Sequence, residues 1–157
     1  SANRCRVNTF LDATGEPLRR GLAARPMLVK PNREEFETTF SSRLESEADL
    51  IAALKQLQGA GARYAVLTDG AAPFHAASPE NVYRVTPPEI RAINPIGSGD
   101  AMVAGLIHGF QQEWPFDRAL AYATAAGVAN ALKWAIADSS PEEIEVLLEQ
   151  VRVETLI

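Results

Sequence analysis

The stretch "INPIGSGDAMVAGLIHGF", Ile93 to Phe110, sets two glycines, a serine and an aspartate in front of a run of apolar and small residues. Gly97 and Gly99 allow a sharp turn and a close backbone approach to a ligand, with no Cβ in the way. The run that follows carries Met102, Val103, Leu106, Ile107 and Phe110 on one side and Ala101, Ala104 and Gly105 on the other. So little polar surface predicts a buried helix from about Asp100 to Gln112. Such a helix presents unpaired N–H groups and the positive end of its dipole at its start. Together these features make an anion site, for which phosphate is the usual guest. Asp100 stays ionised beside that positive end and can accept a proton from an attacking hydroxyl. Phosphoryl transfer asks for little beyond positioning, charge neutralisation and a base of this kind. The plainer alternative is a strand-to-helix connection in which Asp100 only complements the helix dipole. No G-x-x-x-x-G-K-[ST] is present, and G-x-G-x-x-G fails because Met102 stands at its third glycine.

A second pairing lies in "VKPNREEF", where Asn32 and Glu35 stand three residues apart. On one helical face an amide oxygen and a carboxylate can hold the water shell of Mg²⁺. The same spacing also makes a capping box, with Asn32 as N-cap and Glu35 at N3. His75 and His108 have no cysteine or acidic cluster near them, so they read as surface or satisfied structural histidines and not as zinc ligands. No G-x-S-x-G elbow surrounds Ser98, which excludes it as a hydrolase nucleophile. Arg19, Arg20, Arg84 and Arg91 read as solvated, and Trp114 and Trp134 as packing residues.

Alternating strand-like and helix-like segments must position these groups. Strands are expected at Cys5–Ala13, Pro26–Asn32 and Arg63–Gly70, the last apolar enough to be covered on both faces. Helices are expected over Glu16–Ala24, Arg33–Phe40, Glu45–Gly59 and Phe116–Lys133, and over "PEEIEVLLEQV", where proline and acids mark the start. "PFHAAS" and "NVYRVT" flank a "PEN" turn and predict an antiparallel hairpin. Strands separated by helices imply crossovers, hence an α/β fold with a mainly parallel sheet flanked by helices. No repeat or linker divides residues 1–157, which read as a single α/β domain.

The chain has 157 residues, 46% of them apolar and 22% charged, the composition of a folded soluble protein. Its apolar runs fall short of about 18 residues, so no membrane span is expected. A net charge of −5 without a basic cluster argues against nucleic acid as a partner. The single Cys5 excludes an internal disulfide, fits a reducing compartment and suggests a cytoplasmic protein. "SANRCRVNTF" has neither an initiator methionine nor a signal-peptide pattern, and reads as the cut end of a longer chain or as a scar.

"NPIGSGDAMVAGL" resembles the second signature of the PfkB/ribokinase-like carbohydrate kinases, roughly D-T-x-G-A-G-D before a small-rich helix. Its "NP" and its serine are most similar to the tagatose-6-phosphate kinase and 1-phosphofructokinase branch. The resemblance implies a ribokinase-like three-layer fold and ATP-dependent phosphoryl transfer to a sugar or sugar phosphate. It assigns the anion hole to Gly97, Ser98 and Gly99 and the base to Asp100. "VKPNREEF" is similar to the family's K-P-N-x-x-E segment, which implies Mg²⁺ near Asn32 and Glu35. "AVLTDGAAPF" resembles the strand end S-L-G-x-x-G that meets the nucleotide, giving Thr68 and Gly70 that role. Pro73 departs from the pattern, since it stands at the second glycine and offers neither an N–H nor a positive φ. "ATAAGVANALK" resembles the helix lining the adenine pocket, with Asn130 as its polar contact; by itself the alanine pattern means close helix packing. The likeness runs from about Val7 to Ile157 but matches only the family's C-terminal half, members being roughly twice as long. The N-terminal half, with the lid and most sugar-gripping groups, has no counterpart here. Exposed edges and apolar faces are then expected to bring self-association or pairing with the missing half. The alternative to a kinase is a non-catalytic nucleotide-binding or assembly module, a fragment or a degenerate kinase.

Overall fold

The computed structural model describes residues 7–157, so Cys5 and the first part of the expected Cys5–Ala13 strand lie outside the described residues. The chain falls into two compact units, one running to Arg84 and including Thr155–Ile157, the other Val85–Glu154.

In the first unit β1 (Phe10–Leu11), α1 (Gly15–Ala23), β2 (Leu28–Val29), α2 (Arg33–Phe40), α3 (Glu47–Gly59), β3 (Tyr64–Leu67) and β4 (Phe74–Ala77) follow in order, and β5 (Val82–Thr86) starts in it and ends past Arg84. Phe10 pairs with Leu28 and Leu28 with Tyr64, both in parallel, so α1 and then α2–α3 serve as the crossovers. β4 returns antiparallel to β3, with Ala65 opposite Ala77 and Leu67 opposite His75. The expected hairpin closes through Ser78, whose N–H donates to Asn81 O at 2.9 Å and whose Oγ accepts from Asn81 N at 2.9 Å. Helical spacing explains the core. Leu18 and Leu22 of α1, Phe36 of α2, and Leu54 and Leu57 of α3 all pack on Val29, Ala65 and Leu67 of the sheet. Ala65, Val66 and Leu67 are all buried, as a strand covered on both faces requires.

The second unit holds α4 (Ser98–Gln111), α5 (Phe116–Ala131) and α6 (Pro141–Leu148), followed by β6 (Arg152–Thr155). α4 and α5 come together through small residues. A Cβ on Gly105 would stand 2.7 Å from Ala123 Cα, and one on Gly109 would stand 2.6 Å from Ala119 Cβ. The alanines of α5 thus do what their pattern alone suggests: they permit close helix approach. In the first unit the pairing is parallel for β1–β2–β3 and antiparallel for β3–β4, a mixed, mainly parallel sheet with helices as the crossovers between its parallel strands.

Several expectations need correction. β6 is an additional strand; its "RVET" is too short and too polar to stand out as a strand. α4 is buried on one side only: Met102, Gly105, Leu106 and Gly109 face inward, while Ala104 and His108 are exposed. Trp134 does not pack, being 82% exposed, whereas Trp114 meets the rings of His108 and Tyr122, each at 5.3 Å. His75 is buried and only half satisfied, with Nε2 2.8 Å from Glu47 Oε1 and Nδ1 without a partner. Arg84 is anchored on that same Glu47. Arg19 donates to Thr39 O and lies over the Phe40 ring at 5.0 Å, so neither arginine is simply solvated.

Candidate active site

In the first unit the chemistry-bearing residues gather at the carboxyl ends of β2 and β3, where ligands of open α/β sheets bind. Beyond Val29 the chain makes one more parallel bridge, Asn32 to Thr68. Thr68 N–H donates to Pro31 O at 3.3 Å, and Arg33 N–H donates to Thr68 O at 2.8 Å. This bridge brings Asn32, one of the two expected metal residues, beside the expected nucleotide residue Thr68. Gly70 follows in an exposed turn with φ +58°, and a Cβ there would meet nothing within 4 Å. Arg33 Nη1 bonds Asp69 Oδ2 at 3.1 Å and Arg33 Nε bonds Glu37 Oε1 at 3.2 Å. The Asp69 hydrogen bond and then that of Glu37 raise the arginine's pKa further above its usual value.

Asn32 and Glu35 form a complete capping box. Asn32 Oδ1 accepts from Glu35 N at 2.8 Å, and Glu35 Oε2 accepts from Asn32 N at 2.7 Å. This leaves Glu35 Oε1 outside the cap. Among the described residues no group of three His, Cys, Asp or Glu could enclose a metal ion. Mg²⁺ usually keeps several waters and takes only one or two carboxylates, with substrate phosphates completing its shell. The donor set fits that outer role.

In the second unit α4 starts differently. Gly97 is its N-cap with φ +81°, a left-handed conformation that glycine adopts without strain, and no side chain caps the helix. A Cβ on Gly97 would also lie 2.6 Å from Ile136 Cγ2. Gly99 lies within the first helical turn, so only Gly97 makes the turn that both glycines were expected to share. Asp100 is exposed in that same turn, beside N–H groups that no side chain caps.

Asn130 is buried beneath this loop. Its Nδ2 donates to Ile96 O at 2.8 Å and to Ser98 Oγ at 3.2 Å, and its Oδ1 accepts from Ala137 N at 2.9 Å. The amide expected to touch adenine therefore spends both of its hydrogens inside the protein. Asn94 ties the same two loops together, accepting from Ile96 N at 3.1 Å and donating to Trp134 O at 3.0 Å. A cavity of about 260 Å³ opens beside α4 and α5, lined by Ala101, Gly105, Tyr122, Ala126, Asn130 and Ser139 among others.

Two residues to which the sequence assigned no role have one in the structure. Lys30 is 5% exposed at the end of β2, with Nζ 3.0 Å from Asp12 Oδ2. A lysine inside an otherwise apolar strand was its signal. Asn94 precedes a proline, the usual place for a loop-bracing asparagine.

The model of the pfkB family carbohydrate kinases matches residues 1–143. This chain belongs to the pfkB family. It is 30% identical over 151 residues to a 1-phosphofructokinase of Borreliella burgdorferi, covering 96% of this chain and 48% of the relative. It is 32% identical over 148 residues to the Haemophilus influenzae 1-phosphofructokinase, covering 94% and 47%. Among solved structures, the phosphofructokinase-2 of Escherichia coli in complex with potassium superimposes with a TM-score of 0.88 at 24% identity. That match covers 95% of this chain and 49% of the other and shows the shared fold. The ribokinase-like architecture is thus that of this pfkB chain, which spans about half the length of the curated relatives it matches.

Proposed function

We propose that this pfkB chain is the C-terminal, nucleotide-binding α/β domain of an ATP-dependent kinase acting on a hydroxyl of a sugar phosphate. The relatives' shared name, 1-phosphofructokinase, points to a fructose phosphate as acceptor. The observation that carries this reading is the uncapped start of α4, with Gly97 left-handed and Asp100 exposed in its first turn.

The first-turn N–H groups with Gly97, Ser98 and Gly99 serve as the anion hole for the phosphoryl group. They stabilise charge that grows on its oxygens, and they are fixed before the reaction begins. Asp100 accepts the proton of the attacking hydroxyl. In the first unit Thr68 and Gly70 contact the nucleotide, and the open space over Gly70 suits a close approach. Asn32 and Glu35 hold the water shell of Mg²⁺, which when bound neutralises phosphate charge. Asn130 supports the nucleotide site by bracing the Gly97–Asp100 loop. The acceptor's grip comes from segments outside this chain or from another copy, which makes self-association part of the proposal. Among the described residues no helix is long and apolar enough to cross a membrane.

The test is ADP release from Mg²⁺–ATP with fructose 1-phosphate as acceptor, in the protein that carries this sequence and in its Asp100→Asn variant. Turnover lost with ATP binding retained supports the base; turnover that survives the substitution removes Asp100 from that role.

A further inference from the structure

Asn130 is 2% exposed at the end of α5, and its partners leave no freedom in how its amide is turned. The Ala137 N–H can only donate, so it must face Oδ1; the Ile96 carbonyl can only accept, so it must face Nδ2. The second Nδ2 hydrogen then points at Ser98 Oγ, 3.2 Å away. Ser98 is the first residue of α4, and it lies close over α5 because Gly127 has no side chain: a Cβ there would stand 3.0 Å from Ser98 O. A serine hydroxyl that accepts from an amide still has one hydrogen to donate. Ser98 is half-buried, and its oxygen is held from the α5 side by Asn130.

We propose that Asn130 is a positioning residue that turns the Ser98 hydroxyl into an oriented side-chain donor for phosphoryl oxygens bound at the start of α4. The proposal rests on the anion-site reading of Gly97–Asp100. Asn130 acts through Ser98, and it does not touch the bound anion. The accepted bond polarises the hydroxyl and fixes its direction, so less ordering remains to be done when the anion arrives.

The experiment follows ¹H–¹⁵N spectra of the chain during titration with inorganic phosphate and then with Mg²⁺–ATP, in the parent, Ser98→Ala, Asn130→Ala and the double variant. In the parent, the Gly99 amide and the two Asn130 side-chain protons are expected to shift together with one affinity. Ser98→Ala should weaken binding about tenfold, the loss of one hydrogen bond to a charged group. Asn130→Ala should weaken it similarly, and the double variant should fall no further, because both changes remove one donor. Additive losses in the double variant would overturn the relay, as would binding at Gly99 with the Asn130 protons unmoved. If Asn130→Ala does not fold, Ser98→Ala alone decides: unchanged affinity there removes the hydroxyl from the site. No shift at Gly99 or Asp100 with either probe would overturn the anion site itself, and the relay with it. Asp100→Asn turnover tests the base independently of both.

Discussion

Two helix starts carry the proposed chemistry of this chain, and they are built in opposite ways. α2 begins closed: Asn32 and Glu35 satisfy each other's backbone N–H groups through a reciprocal pair of hydrogen bonds. α4 begins open: a left-handed glycine replaces the capping side chain, and the only acid in its first turn, Asp100, is exposed. A closed start uses its side chains to hold the helix, and leaves a ligand only the second oxygen of a carboxylate. An open start leaves its N–H groups to solvent or to an anion, and with glycine as the N-cap the cost in helix stability is only on the order of a few tenths of a kcal/mol. The side chains that would have capped α4 have a counterpart elsewhere: Asn130 braces the loop from beneath, out of the ligand's way.

The largest break in this comparison comes from Asp100→Asn. Removing a base from the open start should cut turnover about 10²–10⁴-fold with little change in ATP affinity, as read by steady-state kinetics and calorimetric titration. Gly97→Ala acts on the architecture instead. It forces a non-glycine residue to φ +81° and brings its Cβ within 2.6 Å of Ile136 Cγ2. The expected loss of stability is about 1–3 kcal/mol, measurable by thermal unfolding, with anion affinity falling alongside. An unchanged melting temperature would mean that the loop relaxes away from Ile136.

Asn32→Ala should cost about 1 kcal/mol of stability through the lost cap of α2. Asn32→Ser sharpens the point, because serine caps nearly as well but carries no amide. Stability restored with the Mg²⁺–ATP KM still raised would give Asn32 a role besides capping. Both restored together would leave it a cap alone.

The smallest effect is one of pH. α3 begins with the same closed design as α2, Ser46 with Asp49, and there the Ser46 hydroxyl and backbone N–H hold the Asp49 carboxyl below its usual range. A carboxyl lowered in the folded state adds stability above the unfolded aspartate value, about 3.9. That contribution disappears as pH falls through the lowered folded value. The protection factors of the first-turn amides of α3 should therefore fall below about pH 4, and Asp49→Asn should remove that pH dependence. Gly97 has no titratable side chain, so the N-cap of α4 adds nothing to that response.

Much of this was legible in the residues. Leu18 with Leu22, and Leu50, Leu54 and Leu57, mark their helices by spacing alone, because each buries one stripe against the sheet. "GSGD" before a small-rich run announces the left-handed turn at Gly97 and the helix behind it, because glycine adopts that turn without strain. "VKPNREEF" shows the Asn32–Glu35 pair, but spacing cannot say whether the pair caps a helix or serves a ligand, since the two uses share one geometry. Trp134 and His75 were misread for a different reason: the sequence near each residue is no guide to what packs over it.

Sequence by itself determined most of the elements, the family and which residues are candidates for binding phosphate and accepting a proton. These are local properties, set by periodicity, by glycine's freedom and by the ionisation of one side chain. Only the tertiary structure decided what Asn130 does. Its three partners lie 7 to 34 positions away along the chain, and folding alone brings Ile96, Ser98 and Ala137 around one amide. The bridge from Asn32 to Thr68 is of the same kind, made by the parallel register of β2 and β3 and by nothing local to either residue.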